Sequence, residues 1–205
     1  MLNDRDSVRK DWQKLMTPEL LRTNLIRSSV YLTAYELLLQ ALIDGPLGFF
    51  ADDFTAEGEP VTSAAYREHV LSLGRHRYEA SARWFQDWGA LTADDVERLM
   101  EIREHRNRVA HGIPKIIMSA DEDVDPLLLL SVAELVAKID RWWMLHIVAP
   151  TSGDFDHMDW GGYAPEDAVS GRMVVLGLII AVALGDDERL AEFEAAYGEA
   201  VGGPG

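Results

Sequence analysis

Glu101-Ile-Arg-Glu-His-Arg-Asn-Arg-Val-Ala-His-Gly112 is the stretch on which the reading of this chain turns. A helix advances ~100° per residue. With Arg106 set at zero, Val96, Leu99, Ile102, Val109 and Ala110 gather around nearly the same direction, and Arg103 joins that stripe. Asn107 and His111 fall together on one flank. Arginine is almost never fully buried without a partner. A helix that aims two guanidinium groups along its apolar stripe is expected to build something besides a core.

The surrounding chain reads as helix in both directions. Upstream, Thr92 is a capping residue and Asp94 and Asp95 favour the positive helix end, so the motif helix is expected over about 92–111. Gly112 has the character of a residue just past a helix end, and Pro114 opposes continuation. Thr17-Pro18-Glu19 starts a long helix that should run to about residue 43, where Asp44-Gly45-Pro46 interrupts the apolar pattern. A loop covers 45–61. A further helix is expected from about 62 to 88, with Gly74 as a kink or a break. Downstream, helices are expected over about 125–147, 165–184 and 187–198, with a glycine-rich loop at 149–164. No alternating strand pattern stands out. The expectation is an all-α bundle of about five to six helices with antiparallel neighbours. It forms a single domain over 1–205, with its core at about 17–148 and C-terminal helices at about 165–200.

Composition narrows the function. The 205 residues carry 19 Lys+Arg against 35 Asp+Glu, a formal charge of −16, which argues against broad nucleic-acid binding. The charge is uneven. Residues 67–115 hold nine of the basic residues, eight of the acidic ones and four of the six histidines (His69, His76, His105, His111). An anionic ligand would bind there, unless the cluster only reflects salt-bridged helices. The absence of cysteine excludes disulfides and thiolate metal sites. Met1 to Lys14 is charged and lacks an apolar run, so no secretory signal is expected. The longest apolar stretch, Met173 to Leu184, has 12 residues, short of the ~20 that span a membrane. A cytoplasmic protein is expected.

Arg106-Asn107-Arg108-Val109-Ala110-His111 fits R-x4-H, with a polar residue after the arginine and a glycine after the histidine. In this wording the sequence resembles the HEPN superfamily of helical bundles, many of them ribonucleases, and its prokaryotic defence and toxin branches in particular. The resemblance implies that Arg106 contacts the scissile phosphate, that His111 is the general acid/base for attack by the ribose 2′-hydroxyl, and that Asn107 positions one or the other. It implies no metal or other cofactor. It also implies a homodimer with two motif helices in one cleft, acting on RNA, with an antitoxin or regulatory protein as a further partner. Where toxins paired with a nucleotidyltransferase antitoxin carry a tyrosine two residues past the histidine, this chain has Ile113. The overall acidity suits a small structured substrate, such as a tRNA loop, better than long RNA.

The residues themselves agree with such chemistry. RNA carries its own nucleophile, so cleavage needs proton transfer near neutral pH and a fixed positive charge at the phosphate. Histidine supplies the first and arginine's rigid fork the second. At a helix C-terminus the cationic form of His111 would also be favoured by the helix dipole. Arg103 and Glu36 are weaker candidates for contacts to substrate. Glu36 lies on a polar stripe with Ser29, Thr33 and Gln40, which is either a solvated face or a wall of the cleft. The rival reading pairs Arg103 and Arg106 with acids of neighbouring helices, Glu36 among them, and makes the chain a non-catalytic scaffold or a nucleotide- or protein-binding module. The loop Asp154-Phe-Asp-His157-Met-Asp159 has metal-ligand chemistry but reads mainly as solvated acid. Trp84, Trp88, Trp142 and Trp143 sit at helical spacing and read as core packing rather than base stacking.

Overall fold

The computed structural model describes residues 2–153 and 165–201. Its helices are α1 (Leu2–Leu15), α2 (Pro18–Phe49), α3 (Ala64–His69), α4 (Arg77–Asp87), α5 (Ala93–Met118), α6 (Pro126–Trp143), the single turn α7 (Ala149–Thr151), α8 (Gly171–Leu184) and α9 (Asp187–Val201). Short 3-10 turns precede α4 and α8, and a π-helical turn, Met144–Val148, leads from α6 into α7. Among the described residues no strand forms; an isolated bridge joins Phe54 and Pro60 in the loop after α2. The all-α expectation therefore stands, with more helical pieces than five or six. No helix of the described residues is long and apolar enough to cross a membrane.

α2 is the axis of the bundle, touching α1, α4, α5, α6 and α8. Its buried line, Asn24, Ser28, Tyr31, Tyr35, Leu38 and Leu42, recurs at helical spacing. Leu99, Ile102 and Val109 of α5 and Leu129, Val132, Val136 and Ile139 of α6 close the core against it. At one end the aromatic residues pack as expected: buried Trp84 meets Phe85 edge-on at 5.1 Å and Trp142 at 6.0 Å. Trp88, also expected in the core, lies instead on the rim of that cluster and is exposed.

Two expected helix ends are overridden by packing. α2 does not stop at residue 43 but carries Gly45 and buried Pro46 to Phe49. A Cβ on Gly45 would stand 3.1 Å from the Trp143 ring, so the glycine admits the indole against the backbone, and burial there outweighs the local breakers. α5 likewise runs through Gly112 and Pro114 to Met118. Proline inside a helix removes the hydrogen bond to the carbonyl four residues earlier, here Ala110. Burial of Ile116 two residues past Pro114 holds the extension in place.

Elsewhere the helix expected over 62–88 breaks in two. Gly74 is extended there, and a Cβ on it would come within 2.7 Å of the Ala80 backbone nitrogen. α1, which the charged N-terminal sequence did not suggest, packs on α5 and α2. α8 starts at Gly171 rather than near 165, because Ser170 supplies the cap by accepting from the Met173 N–H at 3.1 Å. The 154–159 loop lies outside the described residues. The α5 cap is as expected: Thr92 Oγ1 accepts from the Asp95 N–H at 3.2 Å, and Asp95 Oδ2 accepts from the Thr92 N–H at 2.9 Å. Thr92→Ala should lower unfolding stability by ~1 kcal/mol in denaturant titrations.

Candidate functional site on α5

Helix α5 carries every residue of the R-x4-H motif, and two buried tyrosines fix its position. The Tyr31 hydroxyl donates to the Ile102 carbonyl at 3.2 Å, and the Tyr78 hydroxyl donates to the Leu99 carbonyl at 2.9 Å. Burial pushes both phenols well above their ordinary pKa, so both remain donors. Tyr31 also meets the His105 ring edge-on at 4.7 Å.

The buried residues of α5 are Leu99, Ile102, His105, Val109 and Ile116. This corrects the helical wheel drawn from sequence. The true core direction is displaced from Arg106 toward His105, and Arg103 and Arg106 sit half-buried beside it. Asn107 and His111 are exposed. His111 lies seven residues before the helix end, so the dipole acts on Lys115, in the last turn, and not on His111.

Arg106 faces α2. Its Nη2 donates to Glu36 Oε1 at 3.2 Å, and its guanidinium carbon stands 5.2 Å from the centroid of the Tyr35 ring. The Arg106 Nε is buried and has no hydrogen-bond partner among the described residues. Burial raises the Tyr35 phenol, while Arg103 and then Arg106 pull it back down. The polar stripe on α2 (Ser29, Thr33, Glu36 and Gln40) is exposed, and Glu36 alone of the four carries the ion pair to α5. With side-chain exposures of 32% and 52%, this pair belongs to the weak surface class. Glu36→Gln should cost less than ~1 kcal/mol of stability in chemical denaturation.

The other side of α5 bounds a cavity of about 520 Å³ lined by His105, Arg108, His111, Lys115 and, from the turn before α6, Asp121, Glu122, Asp123 and Asp125. That turn is tied to its neighbours. Lys115 pairs with Glu122, Lys14 donates to the Ser119 and Glu122 carbonyls at 2.8 and 2.6 Å, and Arg27 pairs with Asp123 at 3.7 Å. His105 is buried at one end of the cavity. Desolvation, then the neighbouring Arg108 charge, holds its imidazole below the ordinary histidine pKa. Sequence reasoning had not singled out His105, Arg108 or Lys115 as site residues. Their spacing on one side of α5 was readable, but the acidic turn opposite them comes from elsewhere in the chain.

Within one chain, then, the motif splits. Arg106 and Arg103 flank the α2 side, His111 opens on the cavity side, and Asn107 lies between them. Arg106 and His111 diverge by ~140° and ~7.5 Å along the helix axis. Between them an uncovered strip of α5 runs through exposed Asn107 and Pro114, with exposed Glu104 just past His111 on its border; at the far end Met118 borders α1. Comparison with protein-family models, with curated proteins and with solved structures finds no match to this chain.

Proposed function

We propose that this chain is a metal-independent endoribonuclease of a HEPN-like, defence or toxin type, working as a homodimer. The observation that carries the reading is the uncovered strip of α5, which presents Asn107 and His111 to the outside with Arg103 and Arg106 along its edge. A surface that exposes an imidazole and an amide beside two half-buried guanidinium groups, on a rigid, tyrosine-anchored helix, suits a phosphodiester. Pairing two such helices about a two-fold axis makes an isologous contact. It sets the Arg106 of one copy across from the partner subunit's His111, which overcomes their divergence within one chain.

In this mechanism the neutral imidazole of His111 takes the proton from the ribose 2′-hydroxyl. The 2′-oxygen attacks phosphorus, and the 5′-oxygen leaves. The partner subunit's His111, protonated, gives that oxygen its proton. The products are a 2′,3′-cyclic phosphate and a 5′-hydroxyl, so atoms and protons balance. Arg106 offsets the charge that builds on the nonbridging oxygens, Asn107 orients the phosphate, and Arg103 and Glu36 border the cleft.

A second reading has its own support. Arg106 is already engaged by Glu36 and Tyr35 inside one chain, which suits a non-catalytic scaffold or a nucleotide- or protein-binding module. One experiment separates the two. Purified protein, Arg106→Ala and His111→Ala are incubated with total RNA in excess chelator. Cleavage by the parent alone, leaving cyclic phosphate ends, supports the nuclease. No cleavage by a folded parent protein supports the module, and cleavage that stops on chelation refutes the metal-independent mechanism.

A further inference from the structure

Two donors converge on one buried imidazole. The Asp125 N–H donates to His105 Nε2 at 3.1 Å, and Arg108 Nη2 stands 3.0 Å from His105 Nδ1. Both approaching groups can only donate. A neutral imidazole has a single acceptor nitrogen and an imidazolium has none. The Asp125 amide is fixed by the start of α6, where the Asp125 carboxylate accepts from the Leu127 N–H at 2.8 Å. At most one of the two contacts is therefore satisfied by the neutral ring, and Arg108 spends no more than one of its five N–H donors on His105. Arg108 is exposed and lines the cavity wall, and among the described residues no carboxylate lies within ion-pair distance of it.

The other charges of the cavity are spoken for, with one exception. Asp125 caps α6, Asp123 pairs with Arg27, and Glu122 pairs with Lys115. Among the described residues no hydrogen bond or ion pair reaches the Asp121 carboxylate. What remains is one guanidinium on the α5 wall and one carboxylate on the facing turn, across about 520 Å³ with His111 on the rim. That volume lies within the ~300–1,000 Å³ of small-molecule sites. The occupant has an anionic end for a guanidinium fork and hydrogen-bond donors at the other end for a carboxylate.

We infer that this cavity is a nucleotide subsite. Arg108 binds the phosphate of a nucleoside monophosphate unit, and Asp121 accepts from its sugar hydroxyls or base N–H groups. The unit is either a free nucleotide or one residue of an RNA strand. As a substrate subsite the cavity rests on the nuclease reading, since it would seat the nucleotide next to the phosphate at His111; as a nucleotide site it does not.

The test is calorimetric titration of the whole protein with the four nucleoside monophosphates, the four nucleosides, inorganic phosphate and a short RNA. At least one monophosphate should bind about tenfold or more tightly than its nucleoside and than inorganic phosphate. Arg108→Ala should remove that advantage while leaving nucleoside binding unchanged. Asp121→Asn should weaken nucleoside and monophosphate alike. Circular dichroism of each variant shows that the fold is kept. Tighter binding of the short RNA than of any monophosphate marks the cavity as a strand subsite; equal binding marks it as a free-nucleotide site. Failure of every monophosphate to bind, or undiminished binding in Arg108→Ala, overturns the subsite even if RNA is cleaved. Monophosphate binding by a protein that cuts no RNA upholds the subsite and removes the nuclease.

Discussion

His111→Ala should lower the rate of RNA cleavage by about 10²–10⁴-fold, the range for loss of a positioned general acid/base. Its melting temperature should match that of the parent. The second expectation comes from one fact: the imidazole is exposed on the outer surface of α5 and is not part of the core. A histidine kept for packing would show the reverse, a loss of stability with little change in rate. On the proposed mechanism, with one histidine neutral and the other protonated in the same turnover, the pH profile should be bell-shaped. Cleavage assays across pH, with thermal melts beside them, read both quantities. Undiminished cleavage in the variant removes His111 from the chemistry.

Arg106→Ala should cost about 10²–10³-fold in the cleavage rate, as for removal of a donor aimed at developing negative charge. Arg106→Lys should recover only part of it, because an ammonium lacks the planar two-pronged fork. The structural cost is small. The alanine variant gives up a weak pair with Glu36, worth ~0–1 kcal/mol, and a ring contact with Tyr35 worth ~0.5–1 kcal/mol. A large loss of stability with unchanged cleavage would instead make Arg106 a clamp between α2 and α5. Measuring kcat and KM separately sharpens the distinction, since a group that acts on the transition state lowers kcat.

Most of the helical plan was legible in the sequence because its signals are local. Thr92, Asp125 and Ser63 each accept backbone hydrogen bonds at the starts of their helices, and Gly89 turns the chain at φ 77° after α4. The errors came where distant packing outweighs a local breaker. Pro46 and Gly45 lie inside α2 because Trp143, far along the chain, needs the glycine's open face. Pro114 lies inside α5, where Ile116 is buried just beyond it. α1 was missed because its exposed apolar residues, Val8 and Trp12, are sparse and its charges many. For the site, the spacing of Arg106, Asn107 and His111 was readable, and so was Glu36 as a partner for Arg106. The direction of each side chain was not. The buried line of α5 is set by Tyr31 and Tyr78 gripping its carbonyls, and no periodicity within α5 records those contacts. The cavity was hidden for the same reason: its acidic wall is brought up by Lys14 and Arg27 from α1 and α2.

The chain contains no cysteine, so one introduced thiol reports on one place. A spin label on Glu104→Cys, at the border of the exposed strip of α5, measures by pulsed electron resonance whether two copies meet there. A label on Val182→Cys, on the exposed apolar side of α8 formed with Val174, Val175 and Leu178, probes the competing surface. Paired α5 helices, with axes ~8–10 Å apart, predict one short, narrow distance from the Glu104 position and a longer one from Val182. No dipolar coupling from the Glu104 position, or a short distance from Val182 alone, would contradict the shared cleft.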